Sequence, residues 1–454
     1  MAISAKSQDV LWTRRGFLKM VAASAGLMAV SRGWAADTAI QQDAAGRVPF
    51  SRVTLSPGAN PAREVGLAWR CSQKLDAAVV QFAPALNNDS RETANAVAVT
   101  GSLESVECEG GAVWHGRVYL NGLEPGKTYR YRVGDGTVWG PWYSLRTADG
   151  ENAPFSFIYL GDIQNDIRDS CTYALQTAWR MVPDARFAVC AGDLVENGYD
   201  DLLWQELHDA MGYTPSWMPV LATPGNHDTR RREGEPGRGE NTAHPLFNRH
   251  FAHPENGPEG IPELRNEVYY VDYQGARLIS LNANHLEETR PDPLSARCID
   301  AQLSWLDRTL ADAGKAWKIV FFHQPVYSTA KGRDNKALRE RLRPLFEKHG
   351  VHLVLQGHDH CYGRTHKCAG DRIVRPDEPG VVYVTAVLGP KLYDLAPKYA
   401  QLMARQYDKT RTVQAIRVTP DTLEYRSLGL DGALLDQFSL VRSADGTATE
   451  LREM

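Results

Sequence analysis

Five apolar runs of this 454-residue chain end in residues able to hold metal ions. Phe155 to Leu160 runs into Gly161-Asp162-Ile163-Gln164. Phe187 to Ala191 runs into Gly192-Asp193, with Glu196 three residues on. Met218 to Thr223 leads to Gly225-Asn226-His227-Asp228. Lys318 to Phe322 meets His323, and Val351 to Gln356 meets Gly357-His358-Asp359-His360. Carboxylate, amide oxygen and imidazole together suit Mn, Fe, Zn or Co, and no thiolate is placed to make a cysteine-rich structural site. One carboxylate shared by two ions about 3.5–4 Å apart divides the load between an attacking oxygen and the oxygens of an ester.

Such a set works only if strands deliver it to one place. In open α/β sheets, ligand sites gather at the carboxyl ends of strands. Glycines before Asp162, Asp193, Asn226 and His358 let the backbone turn sharply and approach an ion. Beyond residue 152 the apolar runs alternate with helix-like stretches, Thr172 to Val182, Leu202 to Met211 and Ala301 to Ala313, which predicts a layered α/β domain over 152–454. Residues 49–148 read differently. Short alternating runs such as Val65 to Trp69 and Thr128 to Val133, separated by Gly, Pro and Asn turns, predict an all-β sandwich.

The ordered set Asp162, Gly192-Asp193, Gly225-Asn226-His227-Asp228, His323 and Gly357-His358-Asp359-His360 resembles the calcineurin-like metallophosphoesterase superfamily. The N-terminal sandwich, Trp317 to Val320 before His323, and Asp431-Gly432 leading to Asp436-Gln437-Phe438 are similar to its purple acid phosphatase branch. The turn at Leu123-Glu124-Pro125-Gly126 resembles that of fibronectin type III modules. The resemblance implies a four-layer αββα phosphoesterase domain behind a fibronectin III-like sandwich. It implies Asp193 as the bridging carboxylate, Asp162 and His360 on one ion, and Asn226, His323 and His358 on the other. His227 would contact the phosphate or protonate the leaving oxygen, oriented by Asp228. The nucleophile would be a hydroxide held by the two ions. Two positions depart from the pattern. Glu196 stands where purple enzymes carry a tyrosine, so no purple colour is expected. Gln164 stands where most of the superfamily carries a histidine; its amide oxygen either ligates the first ion or leaves that position weak. Arg230, in the run Arg230-Arg231-Arg232, is read as part of a basic flap or a solvated loop. Tyr327, Tyr362 and Arg364, close behind ligand motifs, are read as pocket lining.

Composition is that of a globular protein, 43% hydrophobic and 23% charged. A net charge of -4 with no long basic block argues against a nucleic-acid coating role. Thr13-Arg14-Arg15-Gly16-Phe17-Leu18-Lys19, an apolar run and Gly33-Trp34-Ala35 predict a cleaved twin-arginine export signal over 1–35. Its apolar run is too short to span a membrane, so the mature protein is expected in the periplasm or secreted. Losing five basic residues and one acid takes the formal charge from -4 to -8. Seven cysteines leave the candidate bridges Cys71–Cys108 and Cys361–Cys368, and Cys190 reads as a buried thiol. The expected activity is hydrolysis of a small-molecule phosphate ester, most simply a monoester. The alternatives are a phosphodiesterase or nucleotide hydrolase, or a non-catalytic surface binding protein with a residual metal site.

Overall fold

The computed structural model describes residues 50–86, 95–108, 111–229, 241–443 and 449–454. The export segment and the basic run Arg230, Arg231 and Arg232 lie outside them.

Seven antiparallel strands between Phe50 and Arg146 form the all-β region. The 12-residue strand Val97–Cys108 serves two neighbours. Its first part pairs with Ala78–Pro84 and its second with Gly111–Leu120. Hydrogen bonding therefore continues through all seven strands. Period-two alternation points Leu55, Leu67, Trp69, Val80, Tyr131 and Val133 into one core.

Beyond Phe155 the chain builds two seven-stranded mixed sheets. Phe155–Leu160, Ala185–Cys190 and Val220–Ala222 run parallel in the first. Ala276–Ser280, Trp317–Phe321, Leu353–Gln356 and Val382–Thr385 run parallel in the second. Both faces of these strands are covered, which is why they read as unbroken apolar runs. Phe157, Val189 and Leu221 of one sheet pack with Leu278, Ile319 and Leu355 of the other. Helices Thr172–Met181 and Asp201–Met211 cover the outer face of the first sheet. Helices Pro293–Asp312 and Lys336–Lys348 cover that of the second. The layers are thus αββα, as expected. The helix expected from Ala301 is longer, because Asp292 caps it by accepting from the Ser295 amide and Pro293 takes the first helical position.

The all-β region is bolted to the α/β body. Tyr131 donates its hydroxyl proton to the Ser216 carbonyl at 2.6 Å, and Tyr119 donates to the His253 carbonyl at 3.1 Å. A Cβ on Gly66 would lie 2.0 Å from the Ala252 carbonyl oxygen, so only glycine permits this approach. The bridges considered from the sequence do not form. Cys71, Cys361 and Cys368 are separate buried thiols, and Cys190 is buried as expected. Among the described residues no helix is long and apolar enough to cross a membrane.

Candidate metal centre

The five strand ends converge where the two sheets meet. Asp162, Gln164, Asp193 and His323 are wholly buried or nearly so, and His360 is 2% exposed. The turns that deliver them are left-handed. Gly192 and Asp193 have φ of 83° and 49°, and His358 and His360 have φ of 73° and 50°. Left-handed backbone costs a histidine on the order of 1–3 kcal/mol and persists where surroundings or function demand it. Gly225 shows how tight the site is: a Cβ there would lie 2.1 Å from Asp193 Oδ1. Gly225→Ala is expected to cost on the order of 100-fold in metal affinity or turnover. Metal content measured beside a folding check tests this; a fully metallated, active Gly225→Ala protein would contradict it.

Two triads share one carboxylate. Asp193, His323 and His358 form the first; Asp162, Asp193 and His360 form the second. Asp193 Oδ2 lies 3.1 Å from His323 Nε2, and Asp162 Oδ1 lies 3.5 Å from His360 Nε2. His358 Nδ1 is 3.2 Å from His323 Nε2. The far nitrogens are held by backbone. His323 Nδ1–H donates to the Ala191 carbonyl and His360 Nδ1–H to the Lys391 carbonyl, each at 2.8 Å. A carbonyl only accepts, so each Nδ1 carries a proton and each Nε2 is the atom turned to the centre, the one a ligating histidine offers to an ion.

The charges ask for a cation. Burial pushes His323 down, but Asp193 and Asp162 outweigh it and raise it to about 9. Burial works to raise Asp193, yet His323 and His227 hold it below the usual carboxylate range. Burial raises Asp162. Asp162 Oδ1, Gln164 Oε1 and Asn226 Oδ1 are buried with no hydrogen-bond partner. Orphaned oxygens aimed at paired imidazoles are what a metal pair would satisfy. The residues present therefore fit two ions. Gln164 donates from Nε2 to Asp193 Oδ2 at 3.0 Å, leaving its Oε1 for the first ion.

Several sequence expectations need correction. Asp228 does not touch the His227 ring. Its carboxylate accepts from the amides of Leu194 at 3.2 Å and Gly225 at 2.8 Å, so it braces the two ligand turns. His227 is oriented instead by the Glu196 carbonyl, 2.9 Å from Nδ1. The Glu196 carboxylate lies 3.5 Å from the same nitrogen, beside the centre rather than in it. Tyr362 and Arg364 do not line the pocket. They are wholly buried and bind Asp436 and Glu453. Tyr327 packs with Tyr383 and Tyr399 and donates to the Gly370 carbonyl. The structure does not describe Arg230. The cavity over the centre has a volume of about 530 Å³ and is reached by Asn226 and His358. Its walls include Asn284, Glu287, Asp334 and Lys336. Asn284 was not legible as a site residue. It sits on a short helix, donates to the Gly225 carbonyl at 3.3 Å, and accepts from Gln324 at 2.7 Å.

Residues 155–362 match the calcineurin-like phosphoesterase family, and residues 50–147 match the N-terminal domain of purple acid phosphatases. An uncharacterized protein of Mycobacterium tuberculosis is 25% identical over 361 residues, 73% of this chain and 65% of that protein. The Fe(3+)-Zn(2+) purple acid phosphatase 12 of Arabidopsis thaliana is 23% identical over 354 residues, 74% of this chain and 70% of the relative. A purple acid phosphatase from yellow lupin (Lupinus luteus) seeds shares the fold, with a TM-score of 0.71 at 16% identity over 88% of this chain and 75% of that one. The match thus spans just under two thirds of the mycobacterial relative's length. The chain joins a purple acid phosphatase N-terminal domain to a calcineurin-like metallophosphoesterase domain.

Proposed function

We propose that this protein is an exported phosphatase that hydrolyses small phosphate monoesters at a pair of metal ions. One observation carries the reading: two ligand triads share the single carboxylate of Asp193. Asp162, Gln164 and His360 would hold one ion; Asn226, His323 and His358 would hold the other. An Fe–Zn pair, as the Arabidopsis relative's name gives, fits this mixed oxygen and nitrogen set. When bound, the ions supply the nucleophile and offset charge growing on the phosphoryl oxygens. The protein's own groups do the rest. Asp228 holds the turns of Asp193 and Asn226 in register. The Glu196 carbonyl accepts a hydrogen bond from His227 Nδ1–H, so Nε2 is turned to the ester and, in the imidazolium, gives its own proton to the leaving oxygen while Nδ1–H stays in place. Export through the twin-arginine signal over 1–35 belongs to the same proposal.

The test is turnover of p-nitrophenyl phosphate and of a diester before chelation, after it, and after Mn or Zn and Fe are returned. Loss and recovery with the metal supports the reading; turnover that survives full metal removal ends it. A diester hydrolysed faster than any monoester would move the assignment to a phosphodiesterase. His227→Ala is expected to slow alkyl phosphates by about 100-fold or more, within the usual range for a general acid. It should slow p-nitrophenyl phosphate much less, because that leaving group needs no proton. Equal losses on both would remove the acid role. With Glu196 in the tyrosine position, the iron-loaded protein is expected to show no tyrosinate charge-transfer band in its visible spectrum.

A further inference from the structure

A second cluster of ligand-type side chains lies in the seam between the all-β region and the α/β body. His115 comes from strand Gly111–Leu120, Asp201 opens helix Asp201–Met211, and His250 ends helix Pro245–His250. One ligand atom from each lies within 4.8 Å of the other two. Among the described residues, this is the one such cluster outside the two catalytic triads. His115 is 2% exposed and His250 1%. Both ring nitrogens of His115 and Nε2 of His250 are buried without a hydrogen-bond partner. Leaving such groups unsatisfied costs about 1–3 kcal/mol each, so the seam retains them against a penalty.

From this geometry we propose a third metal site, held by His115, His250 and Asp201, that takes a zinc-type divalent ion and staples the two regions together. The surroundings fit. His250 Nδ1 lies 3.2 Å from His208 Nε2. A proton on Nδ1 shared with His208 leaves the Nε2 lone pair of His250 facing the cluster, the usual arrangement of a ligating histidine. Trp204 stacks on His250 with ring centroids 4.5 Å apart and fixes its plane. Asp201 is held by Arg52, which donates to both carboxylate oxygens, and by Arg70, 3.0 Å from Oδ2. Burial, reinforced by Arg52, Arg70 and Arg249, keeps His115 unprotonated, so protons do not compete for it near neutrality. Two imidazoles and one carboxylate, with a fourth position for water, match zinc preferences. The arginines also set a limit. Their charge opposes a cation, so the third ion binds more weakly than the catalytic pair and is the first removed by a chelator.

Metal counting on the folded full-length protein tests this, with Zn²⁺ as probe in equilibrium dialysis and mass-spectrometric metal analysis. Wild type is expected to take three ions per chain and His115→Gln two, with phosphatase activity unchanged. Arg70→Gln should tighten the third site by about tenfold, because one like charge has gone. A doubly substituted Asp193→Asn/His358→Asn protein, crippled at the catalytic centre, should still bind one Co²⁺ with a visible ligand-field band. That arm needs no folded seam variant and is independent of phosphatase activity. A wild-type count that saturates at two, a His115→Gln count that stays at three, or no Co²⁺ band in the double variant would overturn the third site.

Discussion

Asp193→Asn is expected to lower phosphatase kcat/KM by at least about a thousandfold, together with loss of bound metal. Asp193 alone belongs to both triads, so the change strikes both ions at once. Asparagine keeps the shape and the acceptor for the His227 amide, now 2.9 Å from Oδ1. It removes the negative charge and turns one oxygen into a donor facing His323, 3.1 Å away. Metal electrostatics contribute several kcal/mol to such transition states, and each 1.36 kcal/mol is a factor of ten. Turnover and metal content measured on one sample decide it. An Asp193→Asn enzyme within tenfold of wild type, still holding two catalytic ions, would remove the bridging role.

Arg364→Met is expected to cost about 3–5 kcal/mol of stability while leaving kcat of the folded enzyme nearly unchanged. Arg364 is wholly buried and donates to Asp436 through Nε at 2.7 Å and Nη2 at 2.9 Å. It also pairs with Glu453 at 2.8 Å and lies 4.8 Å from the Phe438 ring centre. Burial works against its charge, but hydrogen bonds to Asp436 and Glu453 outweigh that and raise its pKa further. Methionine fills much of the volume and strands the Asp436 charge, leaving Tyr362 as its hydroxyl donor at 2.7 Å. A fall in Tm of about 5 °C is expected. Arg364→Met combined with Asp436→Leu should recover much of the loss, because no lone buried charge remains. If Arg364→Met raised KM with no change in Tm, the residue would be a substrate contact after all.

The candidate ligand residues were legible because metal chemistry restricts residue type and strands restrict place. A carboxylate or imidazole just after an apolar parallel strand has few other reasons to recur five times in one chain. Asp162, Asp193, Asn226, His323, His358 and His360 all meet at the junction of the two sheets. The layer order was legible for a related reason: strands buried on both faces carry unbroken apolar runs, and helices between them must cover the sheets.

Nearness along the chain misled where direction mattered. Tyr362 and Arg364 follow His360 by two and four residues, but strand Tyr362–Thr365 leaves the centre at about 3.3 Å per residue. The Tyr362 and Arg364 side chains therefore end on Asp436, away from the centre. Asp228 adjoins His227 in sequence, yet its carboxylate turns inward to two amides.

Residue types and their order along the chain determined which atoms can ligate and which layers carry them. Folding alone decided what aims those atoms. The Ala191, Lys391 and Glu196 carbonyls that orient three imidazoles are backbone groups, identical in every residue and invisible in a string of letters. The seam histidines at 115, 208 and 250 were equally silent, because long-range packing between two regions is written in no local pattern.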